Sequence, residues 1–334
     1  MSSPELSAWL ERLEGLHPAA IDLGLERVGA VARALGVDRP ARRVVTVAGT
    51  NGKGSVCAFL EAVLAAHGRR VGCYTSPHLV HFRERARIEG VEADDAALVA
   101  ALERVDAARG DTSLTHFEFT TLAVLDLFHR AALEVAVLEV GLGGRLDAVN
   151  VVDPDVAVVT SVGLDHAEWL GNDRDSVARE KAGIARSGRP LVVAEREPPA
   201  GLLAAAGAAG ARLDRAGEDF DWRVDGDTWS VRTRGWRAAG LPLPALAGGY
   251  QLGNAASALA ALDALGEPLD AEAVARGLAA ARIPGRFEVR PGPVELILDV
   301  AHNPEAAATL ARSLAERETP PGGRTLAVLE MYRD

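Results

Sequence analysis

Val44-Val45-Thr46-Val47-Ala48-Gly49-Thr50-Asn51-Gly52-Lys53-Gly54-Ser55 is, in order, a β-branched strand, a glycine-rich turn and the opening of a helix. Glycines let a backbone wrap tightly around an anion, amides at a helix N-terminus point toward it, and Lys53 supplies a cation for its outer oxygens. A nucleoside triphosphate fits such a loop. The general P-loop pattern asks for Ser or Thr directly after the lysine; here Gly54 intervenes, the hydroxyl comes at Ser55, and Val47 fills the position of the early glycine. The bland alternative is a strand-to-helix turn rich in small residues.

Outward from this run, short β-branched segments alternate with longer helical patterns, which predicts an α/β fold with a mainly parallel sheet covered by helices on both faces. Strands are expected over Arg43 to Ala48, Arg70 to Tyr74, Glu134 to Val140, Asp155 to Thr160 and Pro190 to Ala194. Helices are expected over Lys53 to His67, Asp95 to Ala108, Phe117 to Ala132, Arg174 to Arg186 and Asn254 to Leu265, with a loose helix near Gly201 to Ala211. Between Phe220 and Trp236 polar and apolar residues alternate, which predicts an antiparallel hairpin turned at Asp225 to Asp227 and hence a small lateral sheet. The segment Arg282-Ile-Pro-Gly-Arg-Phe-Glu breaks the helical pattern before a strand at Val294 to Val300, placing a boundary between a domain 1–282 and a short one, 283–334. A segment that small leans on its neighbour or is an incomplete domain.

Composition narrows the function. The formal net charge of -11 on 334 residues offers no positive field for nucleic acid. No apolar stretch is long enough for a membrane span and no signal-like N-terminus is present, so the expected setting is the cytoplasm. Cys57 and Cys73 sit in apolar segments without metal-type spacing and read as buried thiols. Lysine occurs only at Lys53 and Lys181 among 36 Lys plus Arg. Arginine is a permanently charged fork, whereas lysine can lose its proton and react, so two lysines kept against such a bias point to chemistry a guanidinium cannot do.

The Gly49–Ser55 loop resembles that of the folylpolyglutamate synthase and dihydrofolate synthase group, a branch of the Mur ligase superfamily. Tyr74-Thr75-Ser76-Pro77-His78-Leu79, Leu138-Glu139 through Asn150, Leu164-Asp165-His166 through Glu180-Lys181-Ala182-Gly183, and Leu298-Asp299-Val300-Ala301-His302-Asn303-Pro304 resemble its other motifs in order and spacing. The resemblance implies a large P-loop-type, Mur-ligase-type ATP-binding domain over 1–282 and a shortened, Rossmann-like C-terminal glutamate-ligase domain over 283–334. It implies an ATP-dependent ligase that adds L-glutamate to dihydropteroate or a reduced folate through an acyl phosphate, working as a monomer. A cell-wall Mur ligase, or a fragment that binds ATP or folate without ligating, stands as the rival; the sequence ends at Glu330-Met331-Tyr332-Arg333-Asp334 where the family usually continues.

Residue by residue, the resemblance makes Lys53, Lys181 and His166 catalytic and Gly49, Thr50, Asn51, Gly52, Lys53, Gly54 and Ser55 the phosphate cradle. Asn254, Arg286, Asp299 and His302 would contact the nucleotide, and Ser76, Glu139, His166 and Lys181 would hold magnesium, two ions in all. Lys181 matches a lysine that carbon dioxide carbamylates. Each has a plainer reading: Glu139 pairing with Arg145, Ser76 capping a helix, Lys181 bridging to Asp165, and the others capping or turning. The loop Ser113 to Phe119 should flank the pterin, with Phe117 or Phe119 stacking on it and at least one of the two in the core.

Overall fold

In the computed structural model, which describes residues 2–317 and 324–329, an eight-stranded sheet forms the centre. Its strands are β1 (Ala41–Ala48), β2 (Val71–Tyr74), β3 (Ala86–Ile88), β4 (Val91–Glu92), β5 (Leu133–Glu139), β6 (Val156–Val159), β7 (Pro190–Val193) and β8 (Arg212–Arg215), in the order β4-β3-β2-β5-β1-β6-β7-β8. β2 through β8 along that order are parallel, and only the β2–β3–β4 edge is antiparallel.

Helices α1 (Pro4–Glu14), α2 (Glu26–Leu35), α3 (Lys53–Ala66), α4 (Asp95–Arg109), α5 (His116–Arg130), α6 (Ala167–Leu170), α7 (Arg174–Ala182), α8 (Ala200–Ala208), α9 (Tyr250–Leu265), α10 (Ala271–Ala280) and α11 (Pro304–Ala315) complete the chain. Alternating residues of each strand feed two separate cores. Val45 and Val47 of β1, with Val135 and Val137 of β5, pack with α3, α9 and α10 on one face; Val44, Ala48, Ala136 and Leu138 pack with α1, α2, α4 and α5 on the other. Both faces are therefore buried, as the continuous apolar strands require.

The sequence-derived strands and helices are all present, with ends that coincide or differ by at most four residues. The Phe220–Trp236 hairpin exists as β9 (Asp221–Asp225) and β10 (Thr228–Arg232), but a third strand, β11 (Arg237–Pro242), extends it. The strand expected at Val294 to Val300 is shorter, β13 (Leu296–Leu298), and pairs with β12 (Glu288–Arg290). Ser113–Phe119 is not a free loop: Thr115 caps α5 in a capping box with Glu118, so the helix begins at His116. Asn254 lies one turn inside α9 rather than at its start. The expected end of the C-terminal segment, Glu330–Asp334, lies outside the described residues.

α3 owes its position to α10. A Cβ on Gly277 would stand 2.6 Å from the Val63 Cα and 2.9 Å from the Ala62 carbonyl oxygen, so the two helices meet backbone to backbone. Alanine favours a helix over glycine by about 1 kcal/mol, whereas overpacking against backbone costs about 1–3 kcal/mol; the overpacking wins because Val63 is interior to α3 and cannot swing away. Gly277→Ala is therefore expected to destabilise the chain by about 1–2 kcal/mol in urea unfolding; a gain in stability would contradict the contact.

Candidate functional site

The carboxyl ends of β1, β2, β5 and β6 meet where the chain leaves β1 for one side of the sheet and later returns to the other, the place where open α/β sheets bind ligands. The phosphate loop lies here. Thr50 is tied to β6's exit by its N–H to the Ser161 carbonyl (2.7 Å) and by its hydroxyl, which accepts the Gly163 N–H (2.9 Å). Asn51 donates its N–H to the Ser161 hydroxyl (2.9 Å), and its carbonyl accepts the Thr160 hydroxyl (2.6 Å). With those groups committed, the amides left facing a ligand are those of Lys53, Gly54 and Ser55 in the first turn of α3. The loop's glycines are dictated by space. Gly52 has φ +88°, and a Cβ there would stand 2.7 Å from the Asn254 Oδ1; a Cβ on Gly49 would fall inside the Thr160 hydroxyl.

Two lysines and one glutamate concentrate charge at this edge. Lys53 folds back to donate to the carbonyls of Gly49 (3.0 Å) and Thr50 (3.2 Å). Glu139, at the end of β5, is 5% exposed and accepts the Ser76 N–H (3.2 Å). Burial pushes its carboxyl pKa up, with Lys53, the Ser76 amide and Arg286 opposing. Arg145 pairs with Glu180 (2.9 Å), which removes the plain ion-pair reading of Glu139. Lys181, on α7, is 3% exposed, and burial together with the Lys53 charge lowers its pKa to about 7, with Asp165 and Asp147 opposing. Among the described residues it forms no ion pair, so the bridge to Asp165 is absent.

Not every expected residue converges. Ser76 caps no helix; its amide is on Glu139. His166 has a left-handed backbone (φ +50°) and a half-exposed ring whose nearest carboxylate is its neighbour Asp165 at 3.8 Å. His302 is exposed, rests on the Val300 carbonyl (2.9 Å) and points at Asp165 (3.8 Å). Asp299 accepts the amides of Phe287 and Ala301, both at 2.8 Å, and with Asn51, Gly52, Ser55, Tyr250, Asn254, Arg286 and Glu305 it lines a cleft. Tyr250 and Glu305 carry no motif signal beyond helix composition.

A second cavity, of about 260 Å³, adjoins the charged edge at Ser76. Ile21, Leu23, Pro77, Phe117, Leu142 and Leu146 make it apolar, and Asp22, Arg85, Thr115 and Asp147 supply polar groups. Phe117 lies here, its ring so close to Gly141 that a Cβ there would be 2.6 Å away, while Phe119 is fully buried against Trp9. Asp147 holds the turn after β5 through the amides of Leu142 (2.8 Å) and Val149 (2.9 Å), and burial raises its pKa to about 6.

The donors at this edge, a buried carboxylate and a hydroxyl-bearing turn beside a polyphosphate-type loop, suit a hard cation such as magnesium. No group of three His, Cys, Asp or Glu side chains able to hold a metal exists among the described residues.

The model of the Mur ligase middle domain matches residues 47–262. The dihydrofolate synthase/folylpolyglutamate synthase of Escherichia coli (strain K12) is 49% identical over 329 residues, spanning 98% of this chain and 76% of that protein. The solved structure of E. coli FolC in complex with DHPP and ADP superposes with a TM-score of 0.91 at 49% identity, covering 94% of this chain and 75% of that one. A bifunctional folylpolyglutamate synthase/dihydrofolate synthase with Mn, AMPPNP and L-glutamate bound gives a TM-score of 0.87 at 50% identity, covering 93% and 74%.

Lys181 gives the site a pH signature independent of any ligand. Its folded pKa of about 7 lies below the ordinary 10.5, so below pH 7 it is charged in both states and the folded chain bears the whole cost of burying the charge. Between pH 7 and 10.5 the unfolded chain holds the extra proton, and the cost falls as pH rises. Lys181→Met is expected to be more stable than the parent at pH 6, with the difference shrinking steadily toward pH 10 in paired urea titrations; a constant difference would contradict the shift.

Proposed function

Because the chain belongs to the dihydrofolate synthase/folylpolyglutamate synthase branch of the Mur ligase family, we propose that the two adjoining cavities hold the two partners of its ligation. The chain is an ATP-dependent acid–amino acid ligase that adds L-glutamate to dihydropteroate or a reduced folate through an acyl phosphate. The observation that carries the assignment of cavities is the Ser76 turn, which walls the apolar cavity and also donates its amide to Glu139 at the charged edge. A substrate with an aromatic head against Phe117 and its carboxylate toward Ser76 presents that carboxylate to the phosphate loop. Arg85, whose guanidinium donates to His78 (2.8 Å), lends the cavity a cation.

ATP lies along Lys53, Gly54 and Ser55, with Asn254 beside Gly52 and Arg286 and Asp299 completing the lining of the cleft. The amides of the α3 first turn and Lys53 hold the phosphates where negative charge accumulates during transfer. The carboxylate attacks the terminal phosphorus, ADP leaves, and glutamate's amine then displaces phosphate from the acyl carbon. Glu139 and Ser76 would hold magnesium, and Lys181 would hold a second ion together with His166 once its ring turns away from Asp165. Magnesium supplies charge neutralisation on the phosphate oxygens.

Lys181 is carbamylated in this reading: its amine, half neutral near pH 7, attacks carbon dioxide, loses a proton and becomes a carboxylate-like oxygen donor. That conversion explains why a lysine is buried without an acid partner. The protein acts on small molecules alone, with neither nucleic acid nor membrane as a partner, as a cytoplasmic monomer. No helix of the described residues is long and apolar enough to cross a membrane.

The direct test is mass spectrometry of the products with ATP, magnesium, bicarbonate and glutamate, dihydropteroate being compared with tetrahydrofolate. One added glutamate supports the reading; nucleotide binding without product on either substrate sinks it. Phe117→Ala should raise KM for the pterin substrate about tenfold, by loss of stacking and apolar contact, and leave KM for ATP unchanged; equal changes in both would place the ring elsewhere. Lys181→Ala should lose at least about 100-fold in kcat and recover part of it with added acetate, which no rescue by acetate would refute.

A further inference from the structure

One side-chain pair joins the phosphate loop to the C-terminal segment across 252 positions of sequence. Asn51 donates from Nδ2 to the Asn303 Oδ1 (3.2 Å), and Asn303 donates from Nδ2 to the Asn51 Oδ1 (3.1 Å), so the two amides close a reciprocal ring. Asn303 is 8% exposed and uses its remaining capacity nearby: Oδ1 also accepts the Ala306 N–H (2.9 Å), capping α11, and Nδ2 reaches the Asp165 Oδ2 (3.4 Å). The Asn51 backbone is already pinned to Thr160 and Ser161, so its side chain couples a rigid loop to α11. An independent contact marks the same junction. A Cβ on Gly163 would fall inside the Glu305 carboxylate, so a side chain from the first turn of α11 lies against the segment after β6.

We propose that the Asn51–Asn303 pair is a latch, in which Asn303 is a positioning residue that holds α11, and with it Arg286 and Asp299, against the phosphate loop so that ATP is gripped from both walls of one cleft. The latch rests on the reading of that cleft as the nucleotide site. A helix cap alone does not account for asparagine here, because Asp or Ser caps as well. What only the amide supplies is a pair of donors directed at two acceptors, the Asn51 Oδ1 and the Asp165 carboxylate. Asparagine therefore serves two purposes at one position, and a substitution can separate them.

Asn303→Asp keeps the acceptor that caps α11 and removes both donors, setting a carboxylate against Asp165. Asn51→Ala removes the other half. In the full chain, each single change should weaken AMPPNP binding in the presence of magnesium about tenfold by calorimetry, and the double change should weaken it by little more than either. In ligation assays of Asn303→Asp, KM for ATP should rise by a similar factor while kcat stays within about threefold. Hydrogen exchange of Asn303→Asp should quicken at residues 50–55 with the first turn of α11 still protected. Multiplicative losses in the double variant, or faster exchange confined to α11, would overturn the latch. Failure of the parent chain to bind AMPPNP would overturn the nucleotide reading instead, and the exchange pattern would still decide whether the pair couples the two elements.

Discussion

Charge held out of water beside the ends of β1 and β5, on Glu139 of β5 and Lys181 of α7, is the constraint on which the rest of the structure turns. Glu139 and Lys181 are almost wholly buried, and neither has an ion-pair partner among the described residues. Burying an unpaired ionisable group costs stability whether it keeps its charge or shifts its pKa toward the neutral form, and the apolar strands, the two-faced helical cover and the backbone contact between α3 and α10 offset that cost. The same charges become favourable once a polyphosphate and a cation arrive. Stability and function are thus opposed at one edge of the sheet, and the glycines of the phosphate loop keep that edge compact.

Seen from that edge, the two cavities have distinct physical characters. One is walled by loop amides, Asn254, Arg286 and Asp299, and suits an anion; the other is apolar, with Phe117 at its side. Ser76 lies between them. A condensation that consumes ATP needs a carboxylate delivered from a mostly apolar body to a phosphate-binding loop, and this adjacency provides the delivery by geometry alone. The C-terminal segment adds its groups through β12, β13 and α11, with Asn303 meeting Asn51.

Much of this was legible in the residues. The glycine-rich turn after a β-branched strand carries its own conformational demand, and the scarcity of lysine singles out Lys53 and Lys181 by composition alone. Other features were hidden because they depend on packing across the chain. Thr115 and Glu118 signal a helix start only when read as a capping box, so the segment taken for a loop is half helix. β11 has little alternation, and its place comes from pairing with β10. Phe117 and Phe119 differ by two positions, which on a helix sends one ring into the core and the other into a cavity. Asn303 stood only as a member of the Leu298–Pro304 motif with no role of its own, since a partner 252 positions away leaves no local trace. His166 and His302 were grouped with the metal and nucleotide residues by resemblance, yet both turn toward Asp165.

The central claim is that the charged edge transfers phosphate to the carboxylate of a pterin-bearing acid before glutamate attacks. Oxygen tracing tests it directly: dihydropteroate labelled with heavy oxygen in its carboxylate is incubated with ATP, magnesium, bicarbonate and glutamate, and the inorganic phosphate is analysed by mass. The account predicts one heavy oxygen in phosphate for each amide formed, with ADP as the other product. Unlabelled phosphate, or label appearing in AMP, would contradict it.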